Sequence, residues 1–185
     1  MGKRIIFVAI LSFFTLSSTS AQTANFRELV KTGTPLDVQA AITKGADVNA
    51  QDKDESSTTP LMLAAAFNPN PEVITILINA GADIQAQSGD GFTALMCAAA
   101  NNKNPEMITI LINAGADIQA QSGDGFTALM CAVNNQNPEG ITTLLKAGAD
   151  AKAKSKEGKT AFNYAQDNEK LKDTNAYWAL SDAQY

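Results

Sequence analysis

The segment ITILINAGADIQAQSGDGFTALMCA runs from Ile74 to Ala98 and occurs again without a single difference from Ile108 to Ala132, offset by 34 positions. Two short motifs extend this period on both sides. Gly-Ala-Asp occurs at residues 45–47, 81–83, 115–117 and 148–150, and helix-opening Thr residues keep step at Thr59, Thr93, Thr127 and Thr160. A self-similarity of 33 to 36 residues is typical of a solenoid of stacked units, so this period decides the architecture.

One unit can be followed from Thr93. The segment from Thr93 to Asn101 is rich in Ala, Leu and Met and opens with a hydroxyl residue suited to N-capping, which predicts a short helix. Asn-Pro-Glu at residues 104–106 then predicts the start of a second helix, and Gly115 its end. The linking residues 116–126 alternate apolar and polar side chains and close on Gly-Asp-Gly, which predicts an extended finger with a tight turn.

This order of elements, with Thr-Pro-Leu at Thr59 and Gly-Ala-Asp after the second helix, resembles the ankyrin repeat family over residues 25 to 185. The resemblance implies an all-α solenoid of helix-turn-helix repeats with protruding β-hairpin fingers. The family's His is replaced here by Met62, Met96, Met130 and Asn163, so the hydrogen bonds of that imidazole are lost. The Asn-Pro-Glu form of the inter-helix loop is similar to a subgroup of bacterial ankyrin repeats.

The solenoid is expected to contain five units including both caps. Their bounds are 22–50 for the N-terminal cap, 51–86, 87–120 and 121–153 for the middle repeats, and 154–185 for the C-terminal cap. The first finger has two extra residues and Ser57 in place of the later Gly91 and Gly125, so it is predicted to be longer and looser. In the last unit, Trp178 is expected to cover the final repeat, because solenoid ends need an atypical cap.

Residues 1–21 differ from the rest and are typical of a secretory signal peptide. Lys3 and Arg4 precede an almost wholly apolar run over residues 5–16, and small residues lead to a cleavage site after Ala21. An uncleaved N-terminal anchor is the alternative, although the run is short for a membrane span. The protein is therefore expected to be exported, to the periplasm first and to the extracellular medium as the alternative, with no membrane attachment after cleavage.

The charge balance bears on the choice of partner. Without Lys3 and Arg4, the 14 basic residues fall to 12 against 19 acidic ones, a net charge of −7. Nucleic acid is not expected as a partner, because phosphate neutralisation requires a basic face. We expect a monomer that binds an unidentified protein.

The chain offers no recognisable catalytic set. It has no histidine, which excludes Ser-His-Asp and Cys-His arrangements and His-ligated metals, and neither a cofactor nor a metal is expected. Cys97 and Cys131 occupy the same register in adjacent repeats, too far apart for a disulfide, and are expected to be buried apolar thiols. The repeated Asp47, Asp83, Asp117 and Asp150 are assigned to turn formation.

The resemblance places the partner surface on the fingers and the adjoining face of the first helices. The candidate residues are Gln87, Asp90, Phe92, Asn101, Gln121, Asp124, Phe126, Asn134 and Asn135, with Gly89, Gly123 and Ala100 between them. Phe92 and Phe126 are either binding anchors or rings that pack over a neighbouring finger. Lys154 and Lys156 in the last finger are either a solvated edge or a contact for an acidic partner.

These observations favour a non-catalytic protein-protein interaction module exported by a bacterium. The alternatives are a secreted effector or surface factor that binds a host protein, and an unrecognised enzyme. An enzyme would need a deep pocket, which repeats of this kind seldom form.

Overall fold

The computed structural model describes residues 25–51 and 56–185 of the chain. The predicted signal peptide, residues 1–21, and residues 52–55 of the first finger, which is predicted to be longer and looser, lie outside these ranges. The helices of the described part are α1 (25–32), α2 (Pro35–Thr43), α3 (Pro60–Phe67), α4 (Glu72–Asn79), α5 (Ala94–Asn101), α6 (Pro105–Asn113), α7 (Ala128–Asn134), α8 (Pro138–Lys146), α9 (Ala161–Gln166) and α10 (Asn175–Asp182).

Each unit contributes one inner and one outer helix, and the units pack in a row. The inner helices α3, α5, α7 and α9 contact one another in that order, and the outer helices α2, α4, α6, α8 and α10 do the same. Inner and outer helices of one unit also pack together. The predicted all-α solenoid is confirmed, with each unit resting on its neighbours.

The helix boundaries follow from capping residues. Thr59, Thr93, Thr127 and Thr160 each accept a hydrogen bond through the hydroxyl oxygen from the backbone N–H three residues on. Asn104 and Asn137 cap the outer helices α6 and α8, with Pro in the first turn. The outer helices α2, α4, α6 and α8 each end at a Gly with positive φ, for example 96° at Gly115, as the sequence predicts.

The core is continuous along the row because the inner helices are almost wholly apolar. Leu61, Leu95 and Leu129 are at most 1% exposed, and the Met residues that replace the family's His are equally buried. At the first of these positions the Thr59 N–H donates to the Met62 sulfur at 3.5 Å. In the last unit, Asn163 instead accepts from the Thr160 N–H at 3.0 Å, which completes a capping box.

The fingers are turn-tipped loops, and the described residues contain no β-strand, so the strand character expected of the fingers is absent. At the tip of the third unit, the Ser88 N–H donates to the Phe92 carbonyl at 2.9 Å and the Gly91 N–H to the Ser88 carbonyl at 2.8 Å. The chain turns directly after each Gly-Ala-Asp motif. In the second of these turns, the Asp83 carboxylate accepts a hydrogen bond from the Gln85 N–H at 2.9 Å. Asp47, Asp117 and Asp150 make the same turn, which confirms their structural role.

Both ends of the solenoid differ from the middle units. The N-terminal cap consists of the two short helices α1 and α2, on either side of Gly33 and Thr34. At the other end the prediction for Trp178 is wrong, because its side chain is 54% exposed. Ala176 and Leu180 are the buried residues of α10, one helical turn apart, and Trp178 between them lies on the other side of the helix.

Candidate functional site

A pocket opens between the fingers of the third and fourth units, above the inner helices α5 and α7. It has a volume of about 360 Å³ and is lined by Phe92, Ala100, Ser122, Asp124, Phe126, Cys131, Asn134 and Asn135. We call it the aromatic pocket. It brings together five of the residues predicted for partner binding, namely Phe92, Asp124, Phe126, Asn134 and Asn135. Gln87, Asp90, Asn101, Gln121, Lys154 and Lys156 lie outside its lining.

The two Phe residues have different neighbours, although their flanking sequences are identical. The Phe126 ring packs against Tyr164 of the next inner helix, with 5.3 Å between the ring centroids and a tilt of 34°. Phe92 is half-buried, and among the described residues it makes no such ring pair. Packing against Tyr164 therefore explains much of the presence of an aromatic ring at Phe126, whereas Phe92 is the clearer candidate for a binding anchor.

Of the two Asn residues that line the pocket, one links neighbouring units and the other is exposed at the surface. Asn135 donates through Nδ2 to the carbonyl oxygen of Ala99 at 3.2 Å, which ties α7 to the preceding unit. Its Oδ1 accepts no hydrogen bond from the described part of the chain, and Asn134 is exposed without a side-chain hydrogen bond there. Asn101 is exposed and donates only to its own helix, at the Cys97 carbonyl. The pocket rim thus offers unused amide groups to an incoming molecule.

A ladder of asparagines behind this rim escaped the sequence analysis. Asn68 donates to the Val30 and Gly33 carbonyls, Asn102 to those of Ala65 and Asn68, and Asn168 to that of Val133. Each side-chain amide therefore binds backbone carbonyl groups of the preceding unit and links the two units. The recurrence of Asn at the end of every inner helix is the sequence signal that identifies this ladder.

A second ladder runs along the base of the fingers. The Gln85 amide donates to the Gly115 carbonyl at 2.7 Å and accepts from the Asp117 N–H at 3.3 Å. Asn49 and Gln119 bridge their own following units in the same way. Gln87 is exposed with no hydrogen bond in the described residues, and Gln121 makes only long contacts, the shorter at 3.3 Å to the Lys154 carbonyl. These two residues remain available to a partner.

The fingertips carry the charge nearest the pocket. Asp90 and Asp124 are exposed, and neither carboxylate forms an ion pair with a described residue. Their tips are joined through the backbone, because the Gly123 N–H donates to the Asp90 carbonyl at 2.7 Å. Lys154 and Lys156 are exposed one unit further on, and the Lys156 N–H continues the chain of backbone bonds to the Asp124 carbonyl at 2.9 Å.

The two thiols are free, in agreement with the prediction that they form no disulfide. Cys131 is buried, whereas Cys97 is only partly buried, which differs from the expectation for that residue. Desolvation raises the pKa of Cys97 to about 11, and desolvation with the neighbouring Cys97 raises the pKa of Cys131 to about 12. Both are neutral near pH 7, so Cys131 presents an apolar wall to the pocket.

Residues 25–51 and 56–185 contain neither a candidate metal site nor a candidate membrane-spanning helix. These residues contain no cluster of three or more His, Cys, Asp or Glu side chains that could hold a metal ion. None of the described helices has the length and apolar character to cross a bilayer. What the site offers is a partly apolar pocket with acidic and amide groups at its edge.

The register of the repeats agrees with the comparison to known families. A family model for ankyrin repeats (3 copies) matches residues 28–122 and 99–176, which together cover more than half of the chain. No curated protein matches the sequence significantly. The chain belongs to the ankyrin repeat family.

Proposed function

We propose that the protein is a non-catalytic module, exported by a bacterium, that holds a protein partner against its fingers and inner helices. Ankyrin repeats are generally protein-protein interaction modules, which supports the class of function. The proposal for this chain rests on one observation. The aromatic pocket presents half-buried Phe92, which makes no ring pair with a described residue, beside exposed Asp124 and Asn134, whose side chains make no ion pair or hydrogen bond with the described residues.

The scaffold around the pocket favours binding through pre-organisation. Phe126 is held by the Tyr164 ring, and the fingertips are joined by backbone hydrogen bonds from Gly123 and Lys156. The inner helices below them are packed along the whole row. A surface already ordered before binding loses little conformational entropy when a partner docks, so a moderate contact area can give useful affinity.

Several features support the absence of catalysis in this proposal. The thiols are neutral at pH 7 because burial raises their pKa, so neither is an activated nucleophile. Asp83 and Asp117 accept hydrogen bonds in turns. The chain also lacks histidine, the usual general base.

The periplasm is the proposed destination, on the strength of the sequence of residues 1–21 alone. The test is fractionation of cells that express the full chain, with the N-terminus of the recovered protein sequenced. We expect mature protein in the periplasmic fraction, beginning after Ala21. Recovery from the medium would favour a secreted factor, and recovery from the membrane would favour an uncleaved anchor.

The binding proposal is tested by affinity capture from periplasmic extract followed by mass spectrometry. Phe92→Ala should abolish capture of the partner with a smaller loss of melting temperature than Phe126→Ala, because Phe92 is packed against the core but makes no ring pair within the described chain. Trp178→Ala is the control, since it removes an accessible aromatic ring that lies outside the aromatic pocket, at the end of the solenoid. Phe126→Ala is less informative, because the lost contact with Tyr164 costs about 0.5–1.5 kcal/mol of stability. Equal capture by Phe92→Ala and wild type would refute the surface assignment.

A further inference from the structure

The residues at three equivalent positions distinguish the units that form the aromatic pocket from the units beside them. The pocket needs a Phe before the helix-opening Thr in two successive units, and a small residue four positions after the second Thr. Phe92, Phe126 and Cys131 meet this requirement. One unit earlier Thr58 replaces the first Phe and is bound by the Arg27 guanidinium at 2.7 Å, and one unit later Tyr164 replaces the small residue.

The lining of the aromatic pocket selects an apolar side chain. Half of the eight lining residues are Phe92, Phe126, Ala100 and Cys131, and the Cys131 thiol is uncharged at neutral pH because burial raises its pKa to about 12. Placing a charged group against these walls would remove its hydration without providing a partner. An aromatic or long aliphatic side chain suffers no such loss.

The edge of the pocket adds a preference for positive charge. Asp124 lines the pocket, and Asp90 is carried on the adjoining tip, which is bonded to Gly123 at 2.7 Å. Neither carboxylate is engaged by a cation of the described chain, and the whole chain has a net charge of −5. Exposed charges of this kind steer association and orient the bound group more than they add affinity.

Asn134 and Asn135 indicate how the partner's backbone lies. The Asn135 Oδ1 is without a donor among the described residues, although its Nδ2 is fixed on Ala99. A peptide N–H of an extended segment is a suitable donor, because side chains at alternate positions then point into the pocket and away from it. Asn134 offers both a donor and an acceptor at the same rim.

We propose that the occupant of the aromatic pocket is one aromatic or aliphatic side chain of an extended polypeptide segment that carries Lys or Arg beside it. This inference rests on the proposed function and names the chemistry of the partner. Apolar burial supplies the affinity, and Asp124 with Asp90 supplies the selection for a basic flank.

The probe is a fluorescein-labelled nonapeptide with a central Phe between two Lys residues in a Gly-Ser background. Its binding to the mature protein is followed by fluorescence anisotropy at low salt and by the amide NMR signals of the pocket. We expect saturable binding that weakens as salt is added, with shifts at Phe92, Ala100 and Asn135. The same peptide with Glu in place of Lys, or Ser in place of Phe, should bind at least tenfold more weakly.

The matched pair of variants is Cys131→Tyr and Cys97→Tyr. The chain already carries Tyr164 at the equivalent position of the last unit, where its ring packs on Phe126, so Cys131→Tyr should fill the pocket by packing on Phe92. It should weaken binding at least tenfold, whereas Cys97→Tyr, outside the pocket lining, should bind as wild type does. Ala100→Leu fills the same space from α5 and serves if Cys131→Tyr fails to fold.

Asp124→Asn should reduce the preference for the Lys peptide over the Glu peptide at least threefold, with exposed Glu139→Gln as the control. The inference is overturned if the Lys peptide does not bind at millimolar concentration, if the Glu peptide binds equally well, or if Cys131→Tyr and Ala100→Leu bind like wild type. Should partner capture still depend on Phe92 in any of these cases, the proposed function stands and the assigned chemistry is wrong. Loss of that dependence would instead refute the proposed function itself.

Discussion

Asn102→Ala should be strongly destabilising, although the residue is only half-buried in a loop. Its amide donates to the Ala65 carbonyl at 3.2 Å and the Asn68 carbonyl at 2.9 Å, and its Oδ1 accepts from the Asn104 N–H at 3.0 Å. At about 0.5–1.5 kcal/mol for each net hydrogen bond, three bonds give a loss of about 2–4 kcal/mol in the free energy of unfolding.

The neighbouring Asn101 provides the control. It is exposed and makes one bond within its own helix, at 3.2 Å to the Cys97 carbonyl, so Asn101→Ala should cost less than about 0.5 kcal/mol. Both variants are compared with wild type by urea unfolding, followed by circular dichroism at 222 nm. Equal midpoints for the two variants, or a loss below about 1 kcal/mol for Asn102→Ala, would refute the assignment of the asparagine ladder as a link between units.

Further predictions concern the thiols and the fingers. The thiols ionise near 9.0 when unfolded but at about 11 and about 12 when native, so the unfolded chain binds fewer protons between these values. Unfolding free energy should therefore fall as the pH rises from 9 to 11, and less so in a Cys97→Ala, Cys131→Ala variant. A thiol reagent at pH 8 should modify half-buried Cys97 before Cys131. Gly91→Ala should destabilise by at least about 1–2 kcal/mol in urea melts, because φ is 79° and the new Cβ would lie 2.7 Å from the Gly123 nitrogen. Ser57→Gly should instead stabilise by up to about 1 kcal/mol, since Ser57 holds φ at 45°.

Helix boundaries could be predicted from the sequence because their causes are local. A Thr hydroxyl, an Asn-Pro pair and a Gly with positive φ each act within one turn of the residue that carries them. The hydrogen-bond partners of the asparagine ladder could not be predicted from such local signals. Asn102 bonds to carbonyl groups 34 and 37 residues earlier, and only the packed units show that its amide turns toward them.

The environments of Phe92 and Phe126 show a second limit to what can be predicted from the sequence of one repeat. Their segments are identical in sequence, yet one ring lines the open pocket and the other also packs on Tyr164. The difference comes from residues in adjacent units, Thr58 before and Tyr164 after, which a repeat considered alone does not contain. The exposure of Trp178 has a cause within its own helix. Ala176 and Leu180, at positions i and i+4, form the inward face of α10, and Trp178 lies on the other side.

One repeated position changes its residue type in the last finger. Two residues after each Gly-Ala-Asp, Asn49, Gln85 and Gln119 bridge to the following unit, and Lys152 occupies the next equivalent position.

The C-terminus supplies the contacts in its place. The Gln184 amide donates to the Ala151 carbonyl at 2.8 Å, and the Lys152 ammonium to the Tyr185 carbonyl at 3.4 Å. Lys154 and Lys156 are exposed on the same finger. The change from Asn or Gln to Lys at this repeated position therefore goes with a change of contact, from a bridge to the following unit to a hydrogen bond with the C-terminal residue.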